Sequence, residues 1–475
     1  MTTPSAPTAP YQPPENGFRT FFIIWASQTV SVIGNALTYF AITIWLTEVL
    51  YPHPEQKAQL ALALSATGIV WGVVHILATP FAGAWADRHD RKRTMVACDS
   101  LNGLLSLALV FLMVTDALHL WLLLVIMGLS TVIADFHNSC FDTSYAMLVP
   151  DKQLPRANGM MQTSWSLSSV ISPAIAATLI ALPSLARQGK IGGSLGALLS
   201  TLTEGTPLAI GVDALTFFAA AITLLFLTVP SPKSLDQKIS QKSSATLLAD
   251  IKEGAMFIWH RRPMLWLLAT LSAANLLFSF MSMLRPMLVK FDLAADWSAG
   301  GFTYETALAL VSSAIGIGGI VGGLVISTWG GLKKRRVYGV IIFSILAAIT
   351  QVIFGLSKTL YLAAAASAIW SGVVPFMNTH SQTIWQSQTP RQLQGRVFAV
   401  RRVIAQFTYP IGTAIAGAAG GIFNPGIVVA VTGGLLALFC LTQLANPSLM
   451  RIEDKAYLDE LAARAAGPNQ AGAAE

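Results

Sequence analysis

Three aspartates lie where an aspartate is costly. Asp135 and Asp142 interrupt HLWLLLVIMGLSTVIADFHNSCFDTSYAML, and Asp213 interrupts LAIGVDALTFFAAAITLLFL. An ionisable group inside such a run is shielded from water and persists where it does something. A carboxyl can take up and release a proton, so these three are the candidates for proton exchange across an apolar barrier. Asp135 is about 24 Å along the run that begins at His119, past its middle. There it serves equally as a proton carrier or as a bond to a neighbouring helix. Asp142 is near the end of the same run, where solvent or loop cations can reach it. Asp213 is about 9 Å into its run. Like Asp99, it is near a helix N-terminus that favours carboxylate, so both read as structural. Arg285, near the end of MLWLLATLSAANLLFSFMSMLRPMLVK, either snorkels to the membrane surface or attracts an anion; snorkelling is the expectation. His75 and His380 stand alone and read as packing residues.

The elements that must hold these groups are apolar throughout. Hydrophobic residues make up 54% of the 475-residue chain and charged residues only 11%. A soluble domain carries about 25% charge, so this chain requires a lipid solvent. The net charge of +7 is read as cytoplasmic loops, and no aromatic-studded basic patch suggests nucleic acid. Cys98, Cys140 and Cys440 are isolated in apolar runs and form neither a disulfide framework nor a metal-ligand spacing. No cofactor is expected. There is no nucleophile–base pair to suggest an enzyme, and no GxxxxGK[ST] loop to suggest direct ATP hydrolysis.

Apolar runs of spanning length recur. They predict helices over Phe21–Val49, Leu60–Trp85, Thr94–Thr115, His119–Tyr145, Asn158–Leu182 and Pro207–Thr228. After a polar linker they predict Met264–Val289, Thr306–Trp329, Val337–Leu356, Leu360–Trp385, Val397–Gly421 and Pro425–Leu444. The division is a disordered tail over 1–17, a six-helix bundle over 18–229, a linker over 230–262, a second bundle over 263–445, and a tail over 446–475. Within the linker, Leu247 to Trp259 has the spacing of an amphipathic helix lying on the membrane surface. Lys and Arg crowd the loops on one side, whereas Lys57, Arg187, Lys190, Lys290 and Lys358 are alone on the other. The bias places both termini and the linker in the cytoplasm.

The chain also repeats itself. VPDKQLPRANG after the fourth run is echoed by TPRQLQGRVFA after the tenth, with Arg156 matching Arg396. Phe136 and Asn138 match Phe376 and Asn378 at the same offset. Two related six-helix halves follow, an arrangement that commonly encloses a midplane site.

GAWADRHDRKR, Gly83 to Arg93, resembles the loop motif of the major facilitator superfamily: a glycine, three residues, Asp-Arg, then a basic cluster. Asp90 stands where that motif usually has glycine. LVPDKQLPRANGMMQ, IGVDALTFF, WGGLKKRR and QGRVFAVRRVIAQFTYPIG resemble its macrolide-efflux and enterobactin-exporter branch. The resemblance runs from Phe18 to about Leu444. It implies an all-α membrane protein of twelve transmembrane helices in two pseudo-symmetric bundles.

It also implies a cytoplasmic latch in which Asp87 meets the N-terminal end of the eleventh helix near Arg396. Gly83, Arg88, Arg91 and Lys92 would be its neighbours, with the individual cations reading mainly as an orientation signal. WGGLKKRR has no aspartate, so the latch is expected on one half only. The implied cavity lies between the first, fourth, seventh and tenth helices. Gln28, Asn35, Phe136, Asn138, Asn275, Arg285, Phe376, Asn378 and Gln382 are its candidate lining. Two departures weigh against the commonest proton-antiport arrangement: the fourth helix has no arginine, and Ser172-Pro173 replaces a Gly-Pro motif. The expected function is a proton-driven inner-membrane exporter of amphipathic small molecules, acting as a monomer. The alternatives are a dedicated exporter of one natural product such as a siderophore, and a non-transporting receptor.

Overall fold

A computed structural model of the chain describes residues 14–229, 244–391 and 393–466. Residues 1–13 of the expected tail and 230–243 of the expected linker lie outside the described residues, as do 392 and 467–475. The long helices are α1 (Gly17–Ile44), α2 (Lys57–Ala86), α3 (Arg91–Val114), α4 (Leu120–Leu148), α5 (Leu154–Arg187) and α7 (Thr206–Leu225). They continue as α9 (Arg262–Met287), α11 (Tyr304–Trp329), α12 (Arg336–Leu356), α13 (Leu360–Gln388), α14 (Gln394–Ile422) and α15 (Pro425–Leu444). Between them are the short α6 (Gly193–Ser200), α8 (Ser244–Trp259) and α10 (Ala294–Ala299). α16 (Pro447–Met450) and α17 (Lys455–Ala466) end the described chain, so part of the expected C-terminal tail is helical.

Among the described residues, eleven helical segments are long and apolar enough to cross a membrane. The remaining long helix, α14, is diluted by Gln406, Tyr409, Pro410 and its glycines. It is packed between α2 and α9, where it meets protein on two sides. The internal repeat is visible in the element boundaries. α4 and α13 begin 240 residues apart, at Leu120 and Leu360, as do α5 and α14, at Leu154 and Gln394. α1 and α9 each end in a π-helical turn, Trp45–Leu50 and Leu288–Asp292.

The basic loop between α2 and α3 ties three helix ends together. Asp90 caps α3, its carboxylate accepting from the Arg93 amide at 2.9 Å. Buried Arg91 donates from Nε to the Ala86 carbonyl at the end of α2, 3.0 Å away. Lys92 donates to the Leu225 carbonyl at the end of α7, 2.8 Å away. Unpaired carbonyls at a helix C-terminus attract cations. The charge density of this loop therefore follows from the three helix ends that converge on it.

In the first half α1 packs on α5 and α7, and α3 on α4 and α7; in the second, α9 packs on α14 and α15, and α12 on α13 and α15. The halves meet mainly through α2 against α14 and α5 against α11. Glycines on these four helices show where. A Cβ at Gly68 or Gly72 of α2 would press on Thr413 or Pro410 at 2.9 and 2.7 Å. One at Gly417 would lie 2.4 Å from Ser65 Cβ, and one at Gly316 2.7 Å from Ser169 Oγ. Gly83 of α2, Gly159 of α5, Gly323 of α11 and Gly395 of α14 have nothing within 4 Å. All four lie toward the side of the basic loops. The glycine contacts between the halves thus lie on the side opposite those loops, whereas these four positions toward the basic side face open space.

Candidate functional site

The closed contact covers a cavity of about 490 Å³ between the halves. Tyr39, Phe40 and Thr43 of α1, Leu64 and Thr67 of α2, and Ser168 and Pro173 of α5 form one wall. Ser282, Met283 and Arg285 of α9, Leu308 and Ser312 of α11, and Tyr409 and Thr413 of α14 form the other. The lining mixes apolar side chains with hydroxyls in about equal number, and Arg285 is its one charged residue among the described residues. This overturns the snorkelling expectation. The Arg285 Nε is buried without a hydrogen-bond partner among the described residues. Tyr304 closes the space behind it, its hydroxyl donating to the Pro286 carbonyl at 3.1 Å.

On α2, just to the basic side of the cavity, His75 meets Asp135 of α4. Nδ1 and Oδ1 are 2.7 Å apart. The Asp135 side chain is 8% exposed and that of His75 35%, so the imidazole links a buried carboxyl to the open space. The other carboxyl oxygen, Oδ2, is buried and unpartnered among the described residues. Trp71 stacks flat on His75 with centroids 5.6 Å apart, and Tyr409 of the other half meets Trp71 edge-on. His75 is therefore not a lone packing residue. Sequence reasoning missed it because its partner is 60 residues away. The spacing of Trp71 and His75, one helical turn apart, was the available sign.

The other buried acids are held more completely. Asp99 receives the Gln28 amide at 3.1 Å and faces His137 at 3.3 Å, so Gln28 is engaged within the first half, away from the cavity. Asp213 accepts from Thr38 at 2.6 Å and Ser106 at 3.1 Å, and its second oxygen is buried without a partner among the described residues. Together with Asn35 it lines a separate pocket of about 30 Å³ inside the first half. Asp142 is exposed near the basic end of α4.

Asp87 is also exposed and makes no side-chain hydrogen bond or ion pair among the described residues. Arg396 is paired with Glu253 of α8 instead, and Arg88 is exposed. On the side where the halves meet, Lys290 bonds Glu48 at 2.8 Å and also the Thr47 carbonyl. Lys57 donates to the Phe423 carbonyl at 2.7 Å. Of the remaining cavity candidates, Asn138 and Asn378 are exposed, and Asn275 donates to the Ala405 carbonyl at 3.3 Å. Gln382 accepts from Arg401 at 2.7 Å, Phe136 packs edge-on to Trp85, and Phe376 packs against Phe343. None of these six lines the closed cavity. His380 accepts from the Leu332 amide at 2.8 Å and its other ring nitrogen is 2.7 Å from the Phe376 carbonyl, a satisfied packing residue.

Comparison with known proteins agrees with this architecture. Macrolide efflux protein A of Streptococcus pyogenes is 25% identical over 395 residues, covering 82% of this chain and 87% of that protein. The multidrug efflux pump Tap of Mycolicibacterium fortuitum is 25% identical over 409 residues, covering 83% and 87%. The putative bacilysin exporter BacE of Bacillus subtilis is 22% identical over 381 residues, covering 79% and 84%. Among solved structures, a bacterial homologue of the human lysosomal transporter Spinster, inward-facing and unoccupied, superposes with a TM-score of 0.60 at 15% identity over 96% of both chains. The nucleoside transporter NupG gives 0.61 at 13% identity over 90% of this chain and 98% of its own. At these identities the structures speak to the fold alone. The description Major Facilitator Superfamily matches residues 24–413, which span both halves and the cavity between them, and the chain belongs to that superfamily.

Proposed function

We propose that this protein is a proton-driven exporter of amphipathic small molecules that works by alternating access. The basic loops lie in the cytoplasm, as do both termini, in a bacterial inner membrane. The described arrangement is then inward-facing. The observation that carries the proton coupling is the His75–Asp135 pair. It lies about 4.5 Å along α2 from Gly72, one of the points where the halves touch. Closure at Gly72 and Pro410 leaves His75 open to the cytoplasmic side. Parting that contact while the basic side closes would expose the pair to the outside. A proton bound from one side can thereby be released to the other. Asp87 acts in the second arrangement, as the latch toward the N-terminal end of α14, with residues 18–229 and 263–445 as the two rocking units.

The cavity supports an amphipathic cargo. Its volume falls within the range of about 300–1,000 Å³ usual for small-molecule sites, and its walls mix apolar side chains with hydroxyls and one guanidinium. The names of relatives, macrolide efflux, multidrug efflux and bacilysin export, point the same way. The test is dye and drug accumulation in cells expressing the protein, with and without a protonophore, beside Asp135→Asn. Lower accumulation that the protonophore restores, and a membrane-located variant that fails to lower it, is the expected result. A second reading, one dedicated natural product such as a siderophore, is favoured by Arg285 facing the cavity. It predicts that a broad drug panel is not moved while one of the host's own metabolites is.

A further inference from the structure

We infer that the cargo carries an anionic oxygen group, a carboxylate, which docks on Arg285 at the closed end of the cavity. The inference rests on the transport reading and names the class of cargo. A guanidinium stays charged at any physiological pH. Holding one half-buried, with its Nε wholly enclosed, is costly without an anion. The chain does not supply that anion: among the described residues Arg285 has no ion pair, and its Nε has no hydrogen-bond partner. The buried acids of the first half, Asp99, Asp135 and Asp213, have partners within that half. Glu48, at the closed outer end, is paired with Lys290.

The setting of Arg285 fits a ligand. The planar fork of its donors matches a carboxylate in two parallel hydrogen bonds. Ser282, Ser312, Thr43 and Tyr409 line the same cavity and offer hydroxyls for the remaining lone pairs. Leu64, Met283 and Leu308 offer an apolar surface for the rest of the molecule. An amphipathic monocarboxylate satisfies both parts. A neutral or cationic amphiphile would leave the guanidinium bare.

The position has a mechanical consequence. Arg285 is on the second half, whereas Thr43 and Leu64 are on the first. A cargo held by its carboxylate on one half and by its apolar body on both would bridge the contact that must open.

The test is equilibrium binding to the purified full-length protein in lipid nanodiscs, with no gradient. The probes are dansyl-leucine and dansyl-leucinamide, which differ only in the carboxylate, read by dansyl fluorescence. The acid is expected to bind at least tenfold more tightly than the amide. R285Q should erase that preference while leaving amide binding unchanged, which also shows that the variant is folded. R285K should retain part of it. Equal affinities for acid and amide, no binding of the acid, or a preference that survives R285Q would overturn the inference. Efflux in cells separates the two proposals. Acid preference without efflux sinks the transport reading and leaves this site standing, and efflux without acid preference does the reverse.

Discussion

Gly417→Ala should drive the protein toward the arrangement that is open on the outer side. In the described arrangement the added Cβ would lie 2.4 Å from Ser65 Cβ and 3.1 Å from the Ala61 carbonyl oxygen. Ser65 has little freedom to turn away, because its hydroxyl donates to the Thr413 carbonyl at 2.8 Å. Ordinary carbon–carbon contact is about 3.5 Å, so α2 and α14 must part by about 1 Å. Overpacking of that kind costs about 1–3 kcal/mol. The helical preference of alanine over glycine, about 1 kcal/mol, acts in both arrangements and cancels. The penalty falls only where the two helices touch. It should therefore shift the ratio of the arrangements by about 5- to 150-fold. The assay is spin-label distances between Glu55→Cys and Lys358→Cys, exposed positions on the outer side of the two halves. The native cysteines are buried and should label poorly. The long-distance population should rise in Gly417→Ala. Gly83→Ala adds its methyl to open space here and should act in the opposite sense, because the latch reading brings Gly83 against the other half in the second arrangement. Distances that do not move in Gly417→Ala, or that move alike in both variants, would refute this account of closure.

Further expectations concern the closed side and the basic loop. Lys290→Met removes the bonds to Glu48 and to the Thr47 carbonyl, worth about 2 kcal/mol together, and should raise the same long-distance population by about 30-fold at most. Asp87→Asn should leave thermal stability unchanged, since the side chain has no partner among the described residues, yet lower export and deplete the outward-open population. A clear drop in melting temperature would place Asp87 in the resting structure instead. Asp90→Ala removes the cap of α3 and should cost about 1 kcal/mol of stability in detergent melts, with Asp90→Ser largely restoring it.

Long apolar runs disclose spanning helices because a bilayer imposes a length and a polarity on each, and the twelve expected spans match the twelve long helices to within a few residues. The short α6 and α10 were missed because they are too brief to stand out as runs. Side-chain direction was harder to read. α9 is apolar almost all round, so nothing in its sequence says which face Arg285 shares with the cavity. The His75–Asp135 pair joins two helices whose relative rotation is set by packing, and no local pattern records it. The amides expected in the cavity illustrate the converse. Gln28 and Gln382 were visible as polar residues in apolar runs, but their partners, Asp99 and Arg401, are what decide their roles. The departure at Asp90 was plain in sequence, and its reason emerged only with the start of α3.

The most direct test of proton coupling through His75 and Asp135 is a flux measurement in proteoliposomes. The purified protein would be reconstituted with a pH-sensitive dye inside, and uptake of radiolabelled fusidic acid, an amphipathic monocarboxylate drug, followed with and without an imposed pH gradient. The account predicts accumulation only with the gradient, accompanied by proton movement in the opposite direction. Asp135→Asn should lose both while still exchanging labelled for unlabelled drug. Accumulation that ignores the gradient, or that persists undiminished in Asp135→Asn, would contradict it.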